Sequence, residues 1–147
     1  MRTLPARLVI PKIKVDSRVE YTGVTAAGNM AVPSDITKTG WYKAGALPGN
    51  KGSAVMTGHV NGPSGQPGVF ARLPELKAGD LVEVTDMNGL RTAFAVQHTK
   101  RYTQDAQPDE VFHSADGVHL NLITCVGDWN KAEKQYSERL VVFADKM

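Results

Sequence analysis

The sequence predicts an all-β fold, either a closed or nearly closed barrel or a sandwich. About eight short apolar or alternating segments are separated by turns rich in glycine and proline. No stretch has the apolar period of a long amphipathic helix, and no internal repeat or low-complexity tract is visible. Short strands without intervening helices bury their apolar faces best by closing into a barrel or stacking as a sandwich.

The predicted strands of the first half are short segments bounded by turn formers. They are residues 7–16, 17–24, 30–32 and 52–60. Pro11 marks an edge or a break in the first strand, and Lys12 and Lys14 are expected on its solvated face. Turn formers dominate residues 34–50, which are therefore expected to form an ordered connection anchored in the core by the pair Trp41-Tyr42.

The second half is predicted to contain a hairpin, a long connection and two apolar strands. Its predicted strands are residues 81–85, 92–96, 118–125 and 140–144. Asn88-Gly89 lies between the first two of these, which is the strongest short hairpin signal in a sequence. Residues 104–117 are expected to be a long connection with one helical turn at 109–112.

Length and composition indicate one ordinary globular domain of 147 residues, with 41% hydrophobic and 22% charged residues. The net charge is +2 and no Lys/Arg cluster stands out, so binding of nucleic acid is not supported. No run has the apolar length of a membrane span, and no signal peptide is visible. The chain is therefore expected to be soluble. Because it starts almost directly in a strand, any upstream anchor or linker is expected to lie outside it.

Cys125 is the only cysteine, so it has no intramolecular disulfide partner and no multi-cysteine metal site. It ends a predicted strand, where a thiol is rigidly held and still reachable by substrate. If the last two strands are neighbours, Arg139 lies at the same end of the sheet. A guanidinium there would favour the thiolate and stabilise a substrate oxyanion. Taken alone, however, an inert buried thiol is the commoner case.

Thr57-Gly58-His59 also lies at a strand end, and Gly58 is predicted to allow a close approach of the backbone. A lone histidine in such a place is usually a surface or hydrogen-bonded residue. His119 is on the strand of Cys125 but roughly 20 Å away at about 3.3 Å per residue, too far to be its partner. His98 and His113 are expected at the surface, in or near the long connection.

Three motifs occur in a fixed order: Thr57-Gly58-His59, then Leu122-Ile123-Thr124-Cys125, then Arg139 before Leu140-Val141-Val142. Together they resemble the sortase family of cysteine transpeptidases, and the resemblance covers nearly the whole chain. Further segments are most similar to class E and class F sortases. These are Ile10-Pro11-Lys12-Ile13, Gly40-Trp41-Tyr42, and Val69-Phe70-Ala71-Arg72-Leu73 ahead of Lys77-Ala78-Gly79-Asp80.

The resemblance implies a single catalytic domain over residues 1–147, folded as a closed eight-stranded barrel, in which Cys125, His59 and Arg139 converge. Cys125 would attack the threonine carbonyl of a Leu-Pro-x-Thr-Gly-type sorting signal and form a thioacyl intermediate. His59 would protonate the departing amine and then take a proton from the incoming amine. Arg139 would hold the substrate and balance the oxyanion.

The resemblance also implies the partners. They are the sorting-signal peptide of a surface protein and an amine acceptor, either a peptidoglycan precursor or a pilin lysine. Residues 104–117 and 126–138 would line the groove, with Thr124, Gly58, Val111 and Trp129 as substrate contacts, although Thr124 is equally well explained as a packed strand residue. No metal and no other cofactor is expected. An N-terminal anchor would hold the domain at the outer face of a Gram-positive cell membrane.

Two other interpretations stay open, a Cys-His hydrolase and a non-catalytic barrel, whereas two further enzyme classes do not fit a cysteine that follows Leu-Ile-Thr at a strand end. A Cys-His hydrolase would release the peptide to water. An L,D-transpeptidase-like enzyme would normally carry Ser-His-Gly-Cys, whereas Leu122-Ile123-Thr124 precedes Cys125 here, and a papain-like protease would place its cysteine at a helix N-terminus. A non-catalytic barrel that binds a ligand would contain an inert Cys125.

Overall fold

The computed structural model describes residues 3–23, 33–62, 65–103, 108–112, 116–130 and 135–147. Within these ranges the chain forms eight strands, one α-helical turn and two 3-10 turns (Pro11–Ile13 and Leu73–Glu75). The elements are β1 (Pro5–Ile10), β2 (Val15–Thr22), β3 (Thr39–Tyr42), β4 (Gly52–Thr57), β5 (Leu81–Asp86), β6 (Arg91–Thr103), α1 (Asp109–Phe112), β7 (Val118–Asn130) and β8 (Gln135–Lys146).

The eight strands form a closed barrel in the order β1-β2-β3-β4-β7-β8-β6-β5, and β5 pairs with β1 to complete it. Most neighbours are antiparallel, but β2 runs parallel to β3, and β4 runs parallel to β7. The closed eight-stranded barrel is therefore confirmed. Its closure leaves none of these strands with an unpaired edge.

Side chains alternate between two apolar clusters along β4, β7 and β8. The larger cluster fills the barrel and includes Ala54, Met56, Leu120, Leu122, Val142 and Ala144. The smaller cluster consists of Val55, Val111, Ile123 and Val141, and lies on the opposite face of the same three strands. Because residue 111 belongs to α1, this helical turn covers an apolar outer face of the barrel.

Two predictions for the first half of the chain need correction. Residues 34–50 contain a strand, β3, whose pairing with β2 and β4 is a tertiary effect that local turn formers hide. Trp41 is nonetheless the core anchor expected, since it is buried and donates its indole N–H to the Ala46 carbonyl at 3.1 Å. Residues 7–16 form parts of two strands rather than one extended segment, because Pro11–Ile13 form a 3-10 turn between β1 and β2, at the break predicted for Pro11.

The second half follows the prediction more closely. The Asn88-Gly89 hairpin is confirmed, with Gly89 at φ 84° between β5 and β6. The helical turn at 109–112 is confirmed as well. The end predicted for the Cys125 strand is wrong, because backbone pairing between β7 and β8 resumes after a register shift between Val126 and Trp129. The turn at 27–29, the strand at 30–32 and residues 131–134 lie outside the described residues.

Candidate active site

Backbone pairing brings Cys125 and Arg139 onto neighbouring strands, and His59 follows two residues after the end of a third strand. Arg139 in β8 is the direct partner of Cys125 in β7. On the other side of β7, Thr57 of β4 lies opposite Ile123, and the Gly58 N–H donates to the Ile123 carbonyl at 3.2 Å. Cys125 lies two residues after Ile123 in β7, and His59 lies two residues after Thr57, just beyond the end of β4. The backbone of Arg139 therefore lies beside that of Cys125 at the strand spacing of about 4.8 Å, and His59 follows the end of the strand on the other side of β7.

Strand alternation places these three positions on the outer face of the barrel. Ile123 and Val141, two residues from Cys125 and Arg139 along their strands, belong to the smaller apolar cluster. Val55 of β4 belongs to the same cluster, and His59 lies four residues after it, beyond the end of β4. The description of Cys125 itself is confined to its backbone. Cys125 was predicted to lie at a strand end. It lies instead within the long β7–β8 hairpin, close to the level at which β4 ends.

A small apolar groove lies on this face beside the candidate catalytic positions. The residues that line it are Tyr102, Pro108, Val111, Phe112, Ile123, Arg139 and Val141. Arg139 is half-buried there, and among the described residues no carboxylate lies within salt-bridge distance of it. The groove therefore combines apolar walls with a guanidinium that can interact with an oxygen of a bound molecule.

The backbone of His59 is held by two close-packed glycines. Gly58 is buried against Val69 and Phe70, and a Cβ at this position would lie 2.6 Å and 2.7 Å from their side chains. A Cβ at Gly68 would lie 2.1 Å from the His59 carbonyl oxygen, which accepts the Phe70 N–H at 3.1 Å. The close backbone approach predicted at Gly58 is confirmed. On the side-chain end, His59 Nε2 lies 2.7 Å from the Pro33 carbonyl oxygen.

Thr124 is buried, and its hydroxyl donates to the Gly58 carbonyl at 3.0 Å, which ties β7 to β4. This contact accounts for Thr124 as a packed strand residue. Contact of Thr124 or Gly58 with a substrate stays a prediction. Val111 is buried in the groove wall. Trp129 pairs with Tyr136 through the backbone, and its side chain lies outside the described part of the chain.

The helical turn α1 is tied to the barrel by polar contacts that the sequence analysis missed. Glu110 accepts a hydrogen bond from the Tyr102 hydroxyl and pairs with Lys100 Nζ at 3.0 Å. Below α1, the Asn121 side-chain amide donates to the Val111 carbonyl at 2.8 Å. The only sequence signal for these contacts was a glutamate in a predicted helical turn, with a lysine and a tyrosine at alternate positions in the preceding strand.

These contacts perturb the groups that make them. The hydrogen bond from Tyr102, and then that from Lys100, lowers the pKa of Glu110 below its usual range. Partial burial, followed by the bond to Glu110, raises the pKa of Tyr102. Both shifts keep a neutral phenol donor against a carboxylate acceptor, so the contact between α1 and β6 persists across the neutral pH range.

The other histidines lie elsewhere. His119 Nδ1 contacts Asp145 Oδ1 at 2.6 Å across the β7–β8 pair, toward the start of β7. His98 is exposed, as predicted, and stacks on Phe143 with ring centroids 4.5 Å apart in the part of β6 that leads into the long connection. His113 lies outside the described residues.

Searches for two further features gave negative results over the described ranges. No group of three or more His, Cys, Asp and Glu side chains there is arranged to hold a metal ion. No helix in the same ranges is long and apolar enough to cross a membrane.

A closed barrel with paired cysteine and arginine positions on two neighbouring strands, and a histidine just beyond the end of a third, defines a β-barrel protein with a candidate thiol site. The sortase domain family model matches residues 8–147, and the chain belongs to the sortase family. Members of this family act at the bacterial cell surface. A search of curated proteins found no match.

Solved sortase structures have the same fold. Sortase C1 of Streptococcus agalactiae, in complex with MTSET, is 22% identical with a TM-score of 0.74, over 96% of this chain and 67% of that one. Sortase C-1 of Actinomyces oris is 26% identical with a TM-score of 0.73, over 97% and 72%. A lid mutant of sortase A from Corynebacterium diphtheriae is 23% identical with a TM-score of 0.72, over 100% and 72%.

Proposed function

We propose that this chain is a sortase transpeptidase with Cys125 as nucleophile, His59 as general acid and base, and Arg139 as the group that stabilises the oxyanion. The observation that supports the proposal is the register of the barrel. It sets Cys125 directly opposite Arg139 and level with His59, beside an apolar groove. A thiolate between a histidine and a guanidinium is an activated nucleophile.

The reaction has two acyl transfers. The Cys125 thiolate attacks the threonine carbonyl of a Leu-Pro-x-Thr-Gly-type signal, and Arg139 stabilises the oxyanion of the tetrahedral adduct. The C–N bond to glycine breaks as the His59 imidazolium protonates the departing amine. An incoming amine then attacks the thioester and loses a proton to neutral His59, and the thiolate leaves.

The groove is suited to the apolar part of such a signal. The half-buried Tyr102, Pro108 and Phe112 provide an apolar rim for a leucine and a proline, above the buried Val111 and Ile123. Arg139 is the backbone partner of Cys125. The contacts of Glu110 with Tyr102 and Lys100 fix the wall against which the peptide would lie. The helical turn therefore presents a preformed surface to the substrate.

We further propose the partners named by the resemblance: a surface protein that carries the sorting signal, and an amine of a peptidoglycan precursor or a pilin lysine. The similarity of Ile10-Pro11-Lys12-Ile13 and Gly40-Trp41-Tyr42 supports class E or class F, although the similar solved structures cited above are class A and class C enzymes. The site of action is the outer face of a Gram-positive cell membrane.

Mass spectrometry of a transfer reaction tests the proposal. The protein is incubated with Leu-Pro-x-Thr-Gly and Leu-Pro-x-Thr-Ala peptides and a glycine or diamino acid acceptor. Cleavage after threonine, with an acceptor-linked product that is absent in Cys125→Ala, supports transpeptidation and indicates the class preference. Cleavage without transfer would identify a hydrolase. No turnover together with an unreactive Cys125 would favour a binding barrel.

Matched variants assign the other two roles. His59→Ala is expected to abolish turnover, whereas His119→Ala, which changes a histidine paired with Asp145 at a distance from Cys125, is expected to keep it. Arg139→Lys is expected to be severely impaired because a point charge lacks the bidentate fork of a guanidinium. Its control is Arg101→Lys on the exposed side of β6. Full activity of Arg139→Lys would refute the oxyanion role.

A further inference from the structure

We propose that His59 exchanges protons with substrate through Nδ1, because the Pro33 carbonyl holds Nε2 in its protonated form. This inference rests on the proposed function of His59 as general acid and base. It identifies which ring nitrogen does the chemistry, and it makes the segment that begins at Pro33 a positioning element of the active site.

The direction of the hydrogen bond is unambiguous because a carbonyl oxygen can only accept. His59 Nε2 lies 2.7 Å from the Pro33 oxygen, so Nε2 carries the hydrogen. A neutral imidazole has one N–H, and with that N–H on Nε2 the lone pair is on Nδ1. In the imidazolium both nitrogens carry hydrogen, and the Nε2 bond to Pro33 is unchanged. The proton gained and lost is therefore the one on Nδ1.

The Pro33 carbonyl is held in place by its surroundings. Pro33 is buried, and its ring packs over β3 at Gly40, where a Cβ would lie 3.0 Å from Pro33 Cγ and 2.8 Å from Thr22 Cγ2. The next residue, Ser34, donates its N–H to Glu20 Oε1 at 3.1 Å and its hydroxyl to the same oxygen at 3.2 Å. Glu20 of β2 is itself the register partner of Gly40.

The other end of the contact is equally constrained. The His59 carbonyl accepts the Phe70 N–H, and Gly68 packs against the same peptide at a distance that excludes any Cβ. The imidazole therefore has a fixed backbone on one side and a fixed acceptor at Nε2. To use Nε2 as the base, the ring would have to lose this bond and bring a lone pair against the Pro33 oxygen.

The proton balance in the two acyl transfers follows from this arrangement. When the C–N bond of the sorting signal breaks, the departing amine takes the proton from Nδ1. When the second amine attacks the thioester, its proton goes to Nδ1 and the imidazolium forms again. Nε2 keeps its hydrogen and donates it to the Pro33 carbonyl throughout the cycle, so the ring keeps one orientation in both half-reactions.

The first test is NMR of protein labelled with ¹⁵N in its imidazole rings, recorded under alkaline conditions in which the spectrum shows neutral imidazole. The His59 signals are assigned by their loss in His59→Gln. The expected result is one tautomer, with Nε2 protonated and Nδ1 bare. A dominant Nδ1–H tautomer, or an equal mixture, would overturn the proposal. This readout needs no turnover, so an inactive protein would refute the proposed function while leaving the tautomer assignment measurable.

The second test loosens the Pro33 segment from a distance. Glu20→Ala removes the acceptor of Ser34, and we expect a mixed tautomer population and a fall in kcat of about tenfold with little change in KM. Glu20→Gln keeps a carbonyl oxygen for Ser34 and is expected to restore both. Glu83→Ala, a strand glutamate paired with Arg91, serves as the control. If Glu20→Ala keeps both the tautomer and kcat of the parent, the positioning argument is refuted.

Discussion

Gly68→Ala is the substitution that best tests how the barrel holds His59. The added Cβ would lie 2.1 Å from the His59 carbonyl oxygen and 2.6 Å from its carbonyl carbon. Both partners are backbone, so no flexible side chain can move aside, and the two segments must separate by roughly 1 Å before a methyl group fits. Gly68 has no positive φ, so the contact rather than the backbone conformation is what forbids alanine.

The magnitude follows from the bonds that cross this contact. Separation stretches two backbone hydrogen bonds, from the Gly68 N–H to the Val60 carbonyl (3.0 Å) and from the Phe70 N–H to the His59 carbonyl (3.1 Å). With a net contribution near 1 kcal/mol for each bond and some overpacking strain, we expect a loss of about 2–4 kcal/mol. For a domain of this size that corresponds to a melting temperature lower by roughly 5–15 °C.

Two assays read the result. Thermal unfolding followed by circular dichroism measures the stability loss. Transfer kinetics below the melting temperature measures the displacement of His59, which we expect to lower kcat/KM about 100-fold. Gly23→Ala is the control, because its Cβ would meet only the flexible end of Lys43, at 3.1 Å from Cε. If Gly68→Ala melts within about 2 °C of Gly23→Ala and keeps its activity, the reasoning about this contact is wrong.

Three further predictions concern the groove wall and the hairpin. Val111→Ala removes two buried methyl groups from the outer apolar cluster, so we expect a loss of about 2 kcal/mol in chemical denaturation and a higher KM for the peptide; an unchanged KM would separate this cluster from substrate binding. Tyr102→Phe removes the hydroxyl that donates to Glu110, and we expect the KM for the peptide to rise severalfold with little change in melting temperature. Tyr21→Phe, at an exposed site, is the control and should leave KM unchanged. The Asp86 carboxylate accepts hydrogen bonds from the backbone N–H groups of Thr3, Asn88 and Leu90. These bonds, chiefly the one from Thr3, lower the pKa of Asp86 from its usual 3.8. Because the carboxylate of Asp86 has a lower pKa in the folded state than in the unfolded state, it stabilises the fold above the unfolded pKa, and this stabilisation is lost as pH falls through the folded pKa. Asp86→Asn should therefore be destabilising at neutral pH and progressively less so below pH 3.8. A difference in unfolding free energy between parent and variant that does not narrow in acid would contradict this assignment.

The sequence was sufficient where local signals and tertiary structure agree. Asn88-Gly89 between two alternating segments predicted the β5–β6 hairpin, and the period of two along β5 matches its buried and half-buried positions. It failed where pairing partners are distant. β3 has turn formers on both sides and is a strand because β2 and β4 supply hydrogen bonds to it. Likewise, the glycine and polar residues after Cys125 suggested a loop, whereas β8 continues to pair with β7 beyond a bulge.

The candidate site divides in the same way. The pairing of Cys125 with Arg139 was predictable, since two consecutive apolar strands are usually antiparallel neighbours. The contact of Pro33 with His59 was not predictable, because no pattern in residues 33–38 indicates which carbonyl reaches an imidazole 26 positions away. The Glu110 contacts with Lys100 and Tyr102 were equally hidden. A glutamate in an exposed helical turn is usually solvated, and only the fold places it over β6.

The parallel pairing of β4 with β7 is the step that makes a site out of these positions. The two strands are separated by the β5–β6 hairpin and α1, so nothing local brings His59 to the level of Cys125. Once β4 and β7 are aligned from Gly52 and Val118 onward, each further residue advances both strands together. The Thr124 hydroxyl bond to the Gly58 carbonyl then locks that alignment one position before the candidate catalytic pair.

A one-residue slip would reverse the faces of β4, which would turn His59 inward and Met56 out of the core, at a cost in apolar burial that the fold cannot sustain. The register that fills the barrel is therefore the same register that places His59 beside Cys125.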